Sequence, residues 1–161
     1  YNLAGSGPTH SQQLYDGAIR SAGREPNDYS IAQLMISTYV AKTHEDAWNE
    51  AEESVHYVLN SYQSQFKRIQ ETLGDSLLNK KSLMPPLPAA DHLRKTPGLT
   101  FFGAPILVGS PEEVREMIER YRSATRVTHM VCWMQLPGLS AARARNSMEL
   151  FARDVMPHFT N

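Results

Sequence analysis

Four side chains stand where two extended segments would deliver them in pairs. Ser37 and Tyr39 lie in one apolar run, and Trp133 and Gln135 lie in another. Residues two apart on a strand point to the same side. A tryptophan offers a flat apolar wall for a ring system, and a glutamine amide can pair with that ring's polar edge. The hydroxyls of Ser37 and Tyr39 can do similar work from the other run. A second reading fits equally well, in which Trp133 packs under a layer of helices and Ser37 and Tyr39 do likewise.

The other reactive residue types give less. The single cysteine, Cys132, sits inside an apolar run and reads as a small buried side chain rather than a nucleophile or ligand. One thiol excludes an intrachain disulfide framework, which fits a reducing, cytoplasmic setting. His10, His44, His56, His92, His129 and His158 are scattered without ligand spacing, so no metal site is expected. Only His129 falls in a strand, and it reads as a hydrogen-bonded core or rim residue. No G-x-S-x-G elbow, phosphate-binding Walker sequence or dinucleotide glycine triplet occurs. Gly5-Ser6-Gly7 suits either a phosphate contact or a turn. At Gly109-Ser110-Pro111 helix capping already accounts for each residue, with anion binding as the alternative.

The elements that would position these residues alternate between strands and helices. Residues 31–41 form a strand with Ile31, Gln33, Met35, Ser37, Tyr39 and Ala41 on one face. Ala32, Leu34, Ile36, Thr38 and Val40 form the other face, which helices should cover. The first face carries the polar groups and points toward something more specialised. Thr43 and Asp46 open the longest helix, whose apolar stripe runs from Ala47 and Trp48 to Phe66 and Ile69. Its acidic side (Glu45, Glu50, Glu52, Glu53) reads as a solvated face. Prolines interrupt residues 76–105, the pattern of a lid or a disordered loop.

Ser110-Pro111-Glu112-Glu113 then starts a helix with Val114, Met117, Ile118 and Tyr121 inward. Residues 127–136 form a second buried strand. After Pro137-Gly138, Ser140 caps a last helix with Ala144, Met148, Phe151, Ala152 and Val155 inward. Near the start, a helix with Leu14, Tyr15, Ala18, Ile19 and Ala22 on one face ends at Gly23.

Buried strands alternating with amphipathic helices imply a parallel sheet, either doubly wound or closed into a barrel. Both architectures place ligands at the carboxyl ends of the strands. The length of 161 residues fits about one domain. A formal net charge of −1 gives no reason to expect nucleic acid or an anionic membrane as partner. No apolar run approaches the ~20 residues that cross a bilayer.

Several segments together resemble the C-terminal end of bacterial luciferase-like flavin monooxygenases. They are Gly109-Ser110-Pro111-Glu112-Glu113-Val114, the 127–136 strand, and Ser147-Met148-Glu149-Leu150-Phe151 through Val155-Met156-Pro157. Tyr39-Val40-Ala41 with Thr43-His44-Glu45-Asp46-Ala47-Trp48 resembles the family's seventh strand and the helix after it. The resemblance implies the C-terminal part of a (β/α)8 TIM barrel spanning residues 1–161, truncated relative to a whole barrel, with an insertion or lid at about 71–105. Residues 106–109 would be a short segment before the penultimate helix.

The resemblance further implies reduced FMN, or a deazaflavin in a sister branch, acting with O2 on a small organic substrate. A flavin reductase and a homodimer are expected as partners. Ser37, Tyr39, Trp133 and Gln135 would be the cofactor-lining residues. Met35 and Ser37 stand where some members carry Arg and His on strand seven, and Leu136 where they carry Tyr or His, so no catalytic residue carries over. That departure motivates an alternative: a non-catalytic flavin-binding or protein-interaction relative of the same fold. A self-contained open α/β interaction domain is a third reading.

Overall fold

Strand β1 (Ala32–Val40) forms the middle of a three-stranded parallel sheet, in the order β4-β1-β5. The computed structural model describes residues 10–28, 31–73, 88–101, 103–125 and 127–159. β5 (His129–Trp133) pairs with the lower part of β1, matching Ala32 to His129 and Ser37 to Trp133. β4 (Leu107–Gly109) pairs with the upper part, matching Thr38 to Leu107 and Val40 to Gly109. The segment before the penultimate helix is therefore a true strand, short and confined to the carboxyl end of β1. A small antiparallel hairpin, β2 (Thr100–Phe101) with β3 (Ala104–Pro105), precedes it.

The apolar alternation of β1 divides the core into two clusters. Ile36 and Val40 face α4 (Pro111–Ala124) and α5 (Ala141–Asp154), packing with Val114, Met117, Ile118 and Val155. That side is the helix-covered face expected from the pattern. Tyr39 faces the other way, with Val108, Leu136 and Leu139, under α2 (His44–Leu73). Ala47, Trp48, Ala51, Val55, Val58 and Leu59 of α2 are all buried there. The face expected to point toward something specialised is thus itself roofed by a helix around Tyr39. The alternation breaks between Gln33 and Ile36, where the register with β5 shifts. Leu34 is consequently 58% exposed instead of buried with Ile36.

Local chemistry sets the helix ends. Ser110 accepts from the Glu113 amide, and Glu113 accepts in return from the Ser110 amide, completing a capping box with Pro111 in the first turn. Ser140 accepts from the Arg143 amide. Gly138 before it has φ +88°, which a side chain would resist. Thr43 caps α2 through the Asp46 amide, and Asp46 takes the Thr43 hydroxyl proton instead of a backbone one. Helix α1 (His10–Ser21) ends at Gly23 with φ +72° as expected, and its Leu14 and Tyr15 are exposed. Residues 1–9, with Gly5-Ser6-Gly7, and 74–87 lie outside the described residues.

The inward face of α5 differs from the expected one. Ala144 and Ser147 are its buried residues, while Met148 is 40% exposed and Ala152 is exposed. The reason is polar. The Ser147 hydroxyl accepts from the Val40 amide at 2.7 Å. A hydrophobic stripe cannot reveal that requirement, and meeting it rotates Met148 outward.

Candidate functional site

A cavity of about 290 Å³ opens beside β1, between α2 and the β2-β3 hairpin. Gln33, Leu34 and Ser37 of β1 form its floor. Val58, Leu59 and Tyr62 of α2 form one wall, and Phe101, Ala104, Pro105 and Ile106 close the other. The register shift at Gln33–Ile36 builds this floor. It puts Leu34 on the side of Ser37, against simple alternation, and leaves Gln33 on the side of Ile36, where it meets Tyr121 of α4.

The polar groups on the floor differ in their freedom. The Tyr121 oxygen lies 2.8 Å from Gln33 Oε1 and 2.7 Å from the Gly103 carbonyl. A phenol has one proton, so it can donate to only one of them. Gln33 Nε2 donates to the Leu34 carbonyl at 3.2 Å, which turns Oε1 toward Tyr121, so that oxygen and the Gly103 carbonyl share the single phenol proton. Gln33 is then occupied bracing α4 and the hairpin. Ser37 is 6% exposed, and its hydroxyl has no hydrogen-bond partner among the described residues.

Of the four residues singled out in the sequence, three share one side of the sheet. Ser37 and Trp133 are register partners on β1 and β5, and Trp133 packs against the cluster that contains Tyr39. Tyr39 is fully buried, and its hydroxyl donates to Glu50 on α2. Burial first, then the Glu50 hydrogen bond and charge, push the Tyr39 phenol far above its ordinary range, with Arg143 opposing. Gln135 is not on the strand, because β5 ends at Trp133. It is exposed, and its amide donates to the Leu139 carbonyl at 3.1 Å across the β5–α5 loop.

Two glutamates read from the sequence as part of a solvated face have partners. Glu50 takes the Tyr39 hydroxyl, and Glu52 pairs with Arg94 of α3 (Ala90–Lys95). Arg94 also donates to Asn49 at 2.9 Å. A charge run on a helix says nothing of what a distant segment lays against it, so the sequence carried no signal for either. His44 Nδ1 lies 2.9 Å from Glu113, which joins the start of α2 to the cap of α4. His129 is exposed at the beginning of β5, away from the carboxyl ends, with Thr128 at 2.9 Å.

The cavity can be tested against a flavin mononucleotide. Its lining suits a flat or apolar body with one hydrogen-bonding oxygen. None of the described residues that line it is charged, so among them the phosphate of FMN finds no counter-charge. The lining fits at most the ring portion of that cofactor. Among the described residues, no three His, Cys, Asp or Glu side chains converge as a metal site, and no helix is long and apolar enough to cross a membrane.

Comparison with known proteins places this architecture. The family model described as luciferase-like monooxygenase matches residues 7–128, ending just before β5. The solved structure of monooxygenase RslO1 from Streptomyces bottropensis superposes with a TM-score of 0.61 at 19% identity, over 93% of this chain and 37% of that one. A type II Baeyer–Villiger monooxygenase, the oxygenating constituent of 3,6-diketocamphane monooxygenase from the CAM plasmid of Pseudomonas putida, in complex with FMN, gives 0.60 at 20% identity. There the coverage is 93% of this chain and 39% of the other. The chain therefore spans less than two-fifths of either structure, and its sheet corresponds to part of a barrel. No curated protein matched by sequence.

Proposed function

The chain belongs to the luciferase-like monooxygenase family, and from that premise we propose that it serves a flavin-dependent monooxygenase. The reaction would oxygenate a small organic substrate with O2 and reduced flavin. FMN is the proposed cofactor, with a deazaflavin as the alternative. When bound, the flavin supplies the oxygen chemistry, and the protein supplies position and exclusion of water. The observation that carries the reading is the family match together with the parallel pairing of Ser37 beside Trp133.

Roles follow for the residues named. Ser37 and Trp133 would hold the flavin ring. Tyr39, through Glu50, would fix α2 over the strand end, and Gln135 would hold the loop that leads into α5. None of these groups supplies a phosphate site, and that part of the cofactor is assigned to barrel elements beyond this chain's share. The segment at about 71–105 would act as the lid. A flavin reductase and a second copy of the protein are the proposed partners, and the cytoplasm the proposed location.

The test is flavin titration and O2 uptake, with the chain combined with a polypeptide that supplies the remaining barrel strands. Quenched FMN fluorescence and substrate-dependent O2 uptake are expected. An assembled barrel that binds no flavin of any kind would sink the proposal. Tight flavin binding with no oxygenated product from a broad substrate panel would favour a non-catalytic relative instead.

A further inference from the structure

We propose that His44 and Glu113 form a proton-transfer pair. In it His44 is a general base whose open ring nitrogen, Nε2, takes a proton from a weakly acidic C–H of a small neutral molecule. Neither residue lines the cavity beside β1. The activity needs no flavin, so it goes beyond the monooxygenase reading.

The pair sits at the end of the sheet where such folds take their ligands. β1 and β4 run parallel and finish opposite each other, Val40 beside Gly109. His44 opens α2 just past the end of β1, and Glu113 lies in the first turn of α4, just past the end of β4. Both therefore stand at the carboxyl ends of the strands.

The carboxylate is held independently of the imidazole. The Ser110 amide donates to Glu113 Oε2 at 2.8 Å. A Cβ at Gly109 would stand 2.6 Å from that same oxygen, so the glycine leaves the carboxylate its place. The other oxygen, Oε1, lies 2.9 Å from His44 Nδ1. A carboxylate only accepts, so Nδ1 of the neutral ring carries the proton and Nε2 keeps its lone pair. The buried Trp48 stands beside the ring, with centroids 6.5 Å apart, and restricts its swing.

Access distinguishes His44 from other histidines of the chain. Its side chain is 37% exposed, and its Nε2 has no partner among the described residues. Nε2 of His56 is also unpaired, but it is buried. His158 meets the Arg115 guanidinium, and His129 the Thr128 hydroxyl. An imidazole held at Nδ1 by a carboxylate and open at Nε2 is the arrangement of a general base. In the step, the Nε2 lone pair takes the C–H proton. The C–H electrons form a new π bond and expel an oxygen leaving group, and the imidazolium then gives its proton to water.

The test uses the chain as it stands, without flavin, and 5-nitrobenzisoxazole as the probe. Loss of its ring C–H proton breaks the N–O bond and releases a coloured cyanophenolate. The chain should turn it over faster than free imidazole at the same concentration. His44→Ala should lower that rate at least about tenfold. Glu113→Gln keeps an acceptor for the Ser110 amide and should lower it roughly 3- to 10-fold, the loss of one net hydrogen bond. His129→Ala, at the start of β5, should leave it unchanged. Nitrogen NMR of the neutral ring should place the His44 proton on Nδ1, and Glu113→Ala should spread it over both nitrogens. A rate that survives His44→Ala, or falls as far in His129→Ala, would overturn the inference. So would a His44 protonated at Nε2 in the unaltered chain, or a Glu113→Gln variant that loses stability while the rate stays the same.

Discussion

Ser147→Ala tests whether a side chain takes the place of β5 on the edge of the upper end of β1 that β4 does not pair. Pairing between β1 and β5 stops at Ser37–Trp133. Three residues further on, the Val40 amide donates to the Ser147 hydroxyl at 2.7 Å. Val40 and Ser147 are 2% and 1% exposed, so water cannot replace the lost oxygen. Leaving that amide unpaired costs about 1–3 kcal/mol. Alanine is a better helix former than serine and returns about 0.5 kcal/mol. The net loss is therefore about 0.5–2.5 kcal/mol, roughly 1–10 °C in Tm for a chain of this size. Urea unfolding followed by circular dichroism should show a lower midpoint at unchanged m, and the Val40 amide should exchange faster. Asn146→Ala, exposed on the same helix, should stay within about 0.5 kcal/mol. If Ser147→Ala matches that control and Val40 exchange is unchanged, the account of the strand end is wrong.

Three more outcomes are expected. A Cβ at Gly109 would lie 2.6 Å from Glu113 Oε2, so Gly109→Ala should displace the carboxylate that caps Ser110 and contacts His44. It should cost about 1–2 kcal/mol by denaturant unfolding, and markedly less in a Glu113→Ala background, a coupling near 1 kcal/mol. Of the seven tyrosines, Tyr39 and Tyr121 should ionise late in a spectrophotometric titration. Burial raises both, and Glu50 adds to the effect at Tyr39. Their folded values lie above the unfolded ~10, so the stability they contribute is whole below that pH and is lost as pH climbs toward the folded values. Phenolate absorbance from all seven at the ordinary pH, in a folded sample, would contradict this. Burial also pushes the Cys132 thiol up, partly offset by the Thr38 hydroxyl. Labelling by a disulfide reagent at mildly alkaline pH should be at least about tenfold slower than in urea.

What could be read from the sequence was whatever one element settles by itself. The capping box at Ser110–Glu113 needs four consecutive residues, and it is present as expected. The apolar stripe of α2 from Ala47 to Leu59 follows from helical period, and those residues are buried. The parallel partnership of β1 and β5 follows from two apolar runs separated by helices. Ser37 and Trp133 are neighbours because that partnership has a register, which the sequence left open.

What escaped were the contacts that join elements far apart in the chain through one polar atom. Ser147 to Val40 spans 107 positions, Tyr121 to Gln33 spans 88, and Arg94 to Glu52 spans 42. Periodicity reports where apolar area is buried, and it is silent on a hydroxyl or carboxylate whose partner arrives from elsewhere. The floor of the cavity belongs to the same class. A strand of strict alternation would have put Leu34 with Ile36 against α4 and α5 and left Gln33 and Ser37 facing α2 alone. One shift of register between Gln33 and Ile36 brings Leu34 round beside Ser37 and sends Gln33 to the side of Ile36 and Tyr121. That irregularity is why the cavity floor carries an apolar side chain beside the Ser37 hydroxyl.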